Sequence, residues 1–392
     1  MKNSFTLVTI YLIAFAGFTS FSWLFPVVPY YASNLGIGVA DVGIAVSIYS
    51  YINTVAILPC GILSDRWGRR RFLVAGLVIS IVVPFLYPLA QGFWTLCIIR
   101  ALHGLGAAIF VPTALAVVID LATPEKRGQI LGWYTASSQL GLMSGPIAGG
   151  YILNSFGFEA AFYSCGLMPQ LGLIFLSTRM RSIPQKPPTH PSEDAHSWNW
   201  LKQRGAIISL LALIITAVGS GTISTFIPLY VKDFGITEAG AGIIITACYA
   251  SSAALRVPSG TLADRFGNMP MIILGLILCA VSLTLVAFSN VLYQLSIIAA
   301  LFGLGMGFSM PAALSWLAHV SPLTKRGLGM GLGSASFQVG LALGATFMGM
   351  VATGSGFDTM YFAAASVFAV SILATLLLQT GGNKINQQRA TI

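Results

Sequence analysis

The sequence predicts an all-α membrane protein of twelve transmembrane helices in two pseudo-symmetric six-helix bundles. Three observations carry that prediction. The 392 residues are 56% hydrophobic and 8% charged, whereas a soluble domain carries about 25% charged residues. Apolar stretches recur at the length of a bilayer crossing, about 20 residues at ~1.5 Å rise each, and lipid admits only helices or closed barrels. Finally, Pro29 falls on Pro228 and Tyr31 on Tyr230, a displacement of 199 residues that recurs down the whole chain.

Taken in order, the apolar runs between turn signals predict helices near 7–32, 39–63, 71–90, 94–121, 128–154 and 158–178, then 205–230, 238–263, 270–288, 292–319, 327–353 and 357–379. The opening Met1-Lys2-Asn3 followed by an apolar run has the outline of a secretory signal. The run continues past Trp23 to about Tyr31, too long for a signal's core, and it has a counterpart in the second half, so it reads as a first membrane helix. The only long polar stretch, Arg179 to Arg204, holds four prolines with Glu193 and Asp194. It reads as a linker (179–204) between an N-terminal bundle (1–178) and a C-terminal bundle (205–392), with Trp198 and Trp200 at the membrane interface.

Charge gives the orientation. With both termini on one side, 17 of the 20 basic residues fall on that side. The positive-inside rule then places both termini in the cytoplasm of a multi-pass protein of the cytoplasmic (inner) membrane. The net charge of +9 is therefore topological and faces anionic lipid, not nucleic acid. Of the remaining basic residues, Lys232 lies in an outer loop, Arg100 inside a helix and Arg256 near an inner helix end. The five cysteines sit in apolar segments without metal-type spacing and read as packing residues. The four histidines are scattered, and no nucleophile, base, metal site or cofactor loop stands out, so the chain reads as a non-enzyme without cofactor.

The repeat pairs Pro59 with Pro258, Gly61 with Gly260, Asp65-Arg66 with Asp264-Arg265, Gly68 with Gly267, Gly104 with Gly303, Pro112 with Pro311, Arg127-Gly128 with Arg326-Gly327, and Gln139 with Gln338. One offset that aligns charged pairs as well as glycines over eleven helices indicates two parallel repeats. Such repeats enclose a midplane site in transporters.

The segment Gly61-Ile-Leu-Ser-Asp65-Arg66-Trp-Gly68-Arg69-Arg70-Arg71 matches in full the signature loop of the major facilitator superfamily, and the repeat, helix count and linker extend the resemblance over essentially the whole chain. The glycines permit a tight turn, Asp65 ends the second helix where it faces a neighbouring helix N-terminus, and the arginines can pair with Asp120. The resemblance implies that this loop latches the cytoplasmic side during transport. In the second copy Asn268 replaces the first trailing basic residue, which weakens Asp264 and Arg265 as a latch. The stretch Leu96-x-x-x-Arg100-x-x-His103-Gly104-x-Gly106 resembles a second family motif whose arginine lies deep in the membrane. The resemblance gives Arg100 a role in proton coupling or substrate binding, against the alternative of an arginine bonded to neighbouring carbonyls. His103 stands where the family has glutamine and titrates in the working pH range when unperturbed, against the alternative of a hydrogen-bonded packing residue. The fifth helix carries Gly132, Gly141, Gly145-Pro146 and Gly149-Gly150, the full pattern of the antiporter branch. Its expected partner is the eighth helix.

The central cavity is expected to draw on Ser22, Trp23, Tyr49, Asn53, Arg100, His103, Tyr134, Gln139, Phe226, Tyr249, Met306, Met310, Phe337 and Gln338. An aromatic, mostly apolar lining suits lipophilic substrates. The 11 acidic residues all lie at helix ends or in loops, so proton coupling is left to Asp41, Asp120 with the latch, His103, or a proton carried by the substrate. The implied function is a monomeric, proton-coupled exporter of lipophilic drugs or small metabolites, resembling the drug:proton antiporters. The competing readings are an uptake symporter or facilitator for a small organic anion bound by Arg100, and a non-transporting membrane sensor.

Overall fold

The computed structural model describes residues 2–122, 126–179, 199–322 and 326–390. Among these, the chain forms ten helical runs: α1 (Lys2–Asn34), α2 (Val39–Trp67), α3 (Arg69–Val82), α4 (Phe93–Leu121), α5 (Arg127–Arg179), α6 (Arg204–Lys232), α7 (Glu238–Phe266), α8 (Asn268–Val286), α9 (Leu292–Val320) and α10 (Arg326–Ala390). Twelve helices were expected. The difference arises because α5 and α10 each change direction at a single glycine, Gly157 (φ 81°) and Gly356 (φ 84°), with no intervening loop. Only a residue without Cβ adopts that backbone freely. After α3, Pro84 and Pro88 remove backbone donors, and Val83–Leu89 continues as a 3-10 helix. Residues 180–198 of the expected linker lie outside the described residues. Trp200, expected at the interface, is instead buried with Ala206 and Leu317.

Among the described residues, nine stretches of helix are long and apolar enough to cross a membrane. Five helices (α2, α4, α6, α7 and α9) have the same length, 29 residues. That is roughly 44 Å at 1.5 Å per residue, longer than a ~30 Å hydrocarbon core.

Packing repeats the sequence offset. α1 packs on α5, α2 on α4, and α3 on both α4 and α5; later, α6 packs on α10, α7 on α9, and α8 on both α9 and α10. The contacts recur residue by residue. A Cβ on Gly104 would stand 3.1 Å from the Tyr49 carbonyl carbon, and one on Gly303 would stand 2.8 Å from the carbonyl carbon of Cys248, the residue 199 beyond Tyr49. Gly141 against Phe15 and Phe18 is matched by Gly340 against Ile214 and Ala217, and Gly76 against Phe110 by Gly275 against Ser309. Small residues sit where backbones nearly touch, as membrane helices without a hydrophobic drive between them require. All five cysteines are buried and unpaired.

Candidate functional site: a cavity between the repeats

Four helices join the first repeat to the second: α2 crosses α10 and α5 crosses α7, with α1 touching α6 and α7 between them. The two crossings are copies of each other. A Cβ on Gly43 would lie 3.1 Å from the Ala345 carbonyl carbon, and one on Gly242 would lie 3.1 Å from that of Pro146. Likewise Gly349 meets Ala40 at 3.3 Å, and Gly150 meets Glu238 at 3.2 Å. These contacts close one end of the molecule. At the other end, which carries the arginines of 66–71, the same four helices place Gly61, Gly132 and Gly260 with nothing within 4 Å, and Gly331 with only Leu58, at 3.9 Å. The helices therefore part toward this basic end.

Between the ends lies a cavity of about 290 Å³. Nine expected residues line it: Tyr49, Asn53, His103, Gln139, Tyr249, Met306, Met310, Phe337 and Gln338. Its roof links the repeats. The Gln338 amide donates to Asn53 Oδ1 at 2.9 Å, and Phe25 stacks on Tyr249 with ring centroids 5.5 Å apart. Nearer the closed end, the Ser47 and Thr346 hydroxyls are 2.7 Å apart, and Tyr51 reaches the same threonine at 3.3 Å.

Four expected cavity residues are elsewhere. Ser22 donates to the Gly141 carbonyl at 3.1 Å, inside the α1–α5 contact. Trp23 packs against Gly149. Tyr134 lies in a separate cluster with Ile10, Ile13, Leu73 and Leu77. Phe226 is wedged beside Gly43 and Gly349 at the α2–α10 crossing. Each is polar or aromatic in a helix that does reach the cavity, but helix rotation turns it toward a neighbouring helix. The residues missed include Phe21 of α1, which stacks on Tyr49 at 5.1 Å, and Arg256. Arg256 was expected near an inner helix end, yet it lines the cavity ten residues before the end of α7. Its residue type in an apolar run was the available signal.

Arg100 is enclosed beside the cavity, 6% exposed, against a separate void of about 30 Å³. Its Nη2 donates to the Val46 carbonyl at 2.8 Å and its Nη1 reaches Tyr87 Oη at 3.5 Å. The guanidinium carbon lies 4.8 Å from the centre of the Tyr49 ring. Tyr87 Oη also meets His103 Nδ1 at 3.2 Å, so one phenol bridges the arginine and the histidine. Asp41 is exposed in the first turn of α2, away from the cavity.

At the basic end, Arg69 joins three helices. It donates to Asp65 Oδ1 at 3.0–3.1 Å, to the Ala116 carbonyl at 2.7 Å, and to Asp120. The pairing expected with Asp120 is present, and it falls entirely within the first repeat. Asp65 pairs with Arg69, the first residue of α3. Arg66 and Arg70 have no ion pair among the described residues. In the second copy Gly267 keeps the turn of Gly68 (φ 88° and 97°), Asp264 is exposed, and Arg265 lies over Phe266. The glycines of α5 also divide differently from expectation. Gly141, Gly145 and Gly149 pack on α1, only Pro146 and Gly150 meet α7, the expected partner, and Gly132 packs on nothing. A helix presents successive residues to different neighbours, so one motif serves two interfaces.

Comparison with known proteins agrees with this architecture. The family model described as Major Facilitator Superfamily matches residues 10–230 and again 209–390. An uncharacterised MFS-type transporter of Methanocaldococcus jannaschii is 26% identical over 388 residues, covering 96% of this chain and 98% of that protein. The multi-drug resistance efflux pump PmrA of Streptococcus pneumoniae is 27% identical over 372 residues, covering 91% and 92%. Among solved structures, a bacterial homolog of the human lysosomal transporter Spinster superposes with a TM-score of 0.82 at 14% identity, covering 96% of this chain and 97% of that one. The two-fold match of the family model, over a fold whose helix contacts repeat at the same spacing, establishes the chain as a member of the Major Facilitator Superfamily.

Proposed function

We propose that this transporter is a proton-coupled exporter of lipophilic drugs or small metabolites, working by alternating access as a twelve-span monomer with both termini in the cytoplasm. In this reading residues 1–178 and 205–392 are the two bundles, 179–204 is their cytoplasmic linker, and Gly157 and Gly356 are the hairpins of the spans that α5 and α10 each contain. The observation that carries it is the cavity: apolar and aromatic, set between the repeats, shut at one end by glycine crossings and parted at the basic end. If the basic end faces the cytoplasm, this conformation is the one that loads substrate from inside. Kinship with an efflux pump over nine-tenths of the chain supports export.

The Arg69 cluster holds α2, α3 and α4 together as one body, so the first repeat can rock without its basic end fraying. Arg100 braces α4 against α2 through the Val46 carbonyl. This engagement takes from the anion-uptake reading the residue it relied on. Asp41 and Asp120 lie away from the cavity, so proton coupling rests on His103, the imidazole at the cavity wall, or on a proton carried by the substrate. The test is transport in proteoliposomes with an imposed pH gradient. Accumulation of a lipophilic dye that follows the gradient, and that collapses with an uncoupler, is the expected result. Movement indifferent to the gradient removes the proton, and no movement of any lipophilic probe removes the export reading.

A further inference from the structure

The cavity is not electrically neutral. Among its lining residues there is no aspartate or glutamate, and there is one guanidinium, that of Arg256. By helix geometry Arg256 lies about 15 Å from the end of α7, at the last residue of that helix's apolar stretch, Glu238–Arg256. Among the described residues its side chain has no hydrogen bond and no ion pair, and none of its nitrogens is sealed away from the void as Arg100 Nε is. The nearest carboxylate on its own helix, Asp264, is two turns on and exposed at the basic end. The repeat offers no counterpart either. The position 199 residues earlier is Ile57, which lines the same cavity. One wall is therefore cationic where its sister is aliphatic.

A charge inside a membrane span is costly, and a partner or a function accounts for it. Arg100 has its partners in the protein. Among the described residues Arg256 does not, and the cavity it lines is also lined by Phe21, Tyr249, Met306 and Phe337, a surface for an aromatic or aliphatic body. We propose that the cavity binds its substrate as an amphipathic organic monoanion, whose carboxylate or equivalent oxyanion is held by Arg256 while its apolar body lies against these four side chains. A guanidinium presents paired N–H groups that match a carboxylate in two parallel bonds. This inference rests on the transporter reading above and narrows its substrate class. It also moves anion recognition from the first repeat, where the sequence placed it at Arg100, to the second.

The experiment uses the full-length protein in lipid nanodiscs and three probes sharing one ring system: 1-naphthylacetate, 1-naphthylacetamide and 2-(1-naphthyl)ethylammonium, titrated by calorimetry. The wild type is expected to bind the anion at least about tenfold more tightly than the amide, with the ammonium weakest. Arg256→Gln should erase the preference for the anion while leaving amide affinity within about twofold, and Arg256→Lys should keep part of it. Should Arg256→Gln not fold, the ranking of the three probes on the wild type and on Arg256→Lys still decides. Equal binding of amide and anion, no binding of the anion up to about 10 mM, or a preference that survives Arg256→Gln overturns the proposal. Transport of the same anion in proteoliposomes separates the two readings. Anion-selective binding without movement defeats the transporter reading and spares the site, whereas movement without anion preference defeats the site alone.

Discussion

The two ends of this molecule use the same four helices in opposite ways. At the closed end α2, α5, α7 and α10 meet backbone to backbone, glycine against carbonyl, in two crossings that copy each other. At the basic end the same helices carry glycines that touch almost nothing, and the bonds that Arg69 donates stay inside one repeat. The difference teaches that closure here is a property of where small residues lie along a helix. Charge around Arg69 ties helices of the first repeat together, and shape decides where the repeats meet.

Breaking the closed end gives the largest expected effect. Gly242→Leu would drive a side chain into the backbone of Pro146 and Ile147, which cannot rotate aside. Overpacking of this kind costs about 1–3 kcal/mol, enough to displace a two-state equilibrium by roughly 5- to 150-fold. Transport should fall by about tenfold or more, and an Ala40→Cys reporter beside the sister crossing should become reactive to an impermeant maleimide. Unchanged labelling together with unchanged transport would sink the idea that these glycines form the seal.

A step smaller is Arg69→Ala, which takes the guanidinium from Asp120, whose side chain is 7% exposed. Removing that charge-assisted partner is expected to cost about 1–3 kcal/mol of stability, seen as a lower unfolding temperature. Asp65→Asn, at a side chain 47% exposed, should cost under about 1 kcal/mol. If both variants lose the same stability, the cluster is not organised around Asp120.

Thr346→Val removes a hydroxyl that Ser47 and Tyr51 share across the closed end. The net loss is expected near 1 kcal/mol, read as a severalfold rise in labelling of the Ala40→Cys reporter without loss of fold. No change in labelling would mean that these hydroxyls follow the crossing without helping to hold it. The smallest effect is assigned to Gly132→Ala. Nothing stands within 4 Å of the added methyl, so stability should stay within about 0.5 kcal/mol of the wild type. A large destabilisation would show that the basic end is packed. Conversely, Gly132→Leu that folds normally yet fails to transport would show that this glycine is needed when the basic end closes.

Much of the fold was legible because membrane helices obey a strong constraint. Apolar length alone marks spans, and the offset from Pro29 to Pro228 announced two repeats whose glycine contacts then recurred at that same offset. The partners of individual side chains were less legible. Ser22 and Tyr49 lie on helices that both reach the cavity, and both are plausible lining residues in sequence. Only one faces the cavity, because the tilt and rotation of each helix are set by its neighbours and not by its own residues. The same reason hid Phe21, an apolar residue in an apolar run, and made the antiporter motif of α5 look like one interface when it serves two.

The sequence by itself determined a helical membrane protein of repeated halves, the Arg69 turn and the glycine positions, since composition and spacing suffice for each. Only the tertiary structure decided that Arg100 is occupied by Val46, Tyr87 and Tyr49 while Arg256 lines the cavity. Both are arginines in apolar helices, and a sequence cannot say which has a carbonyl within reach. That depends on distances between helices far apart in the chain, and those distances are fixed only when every helix is packed.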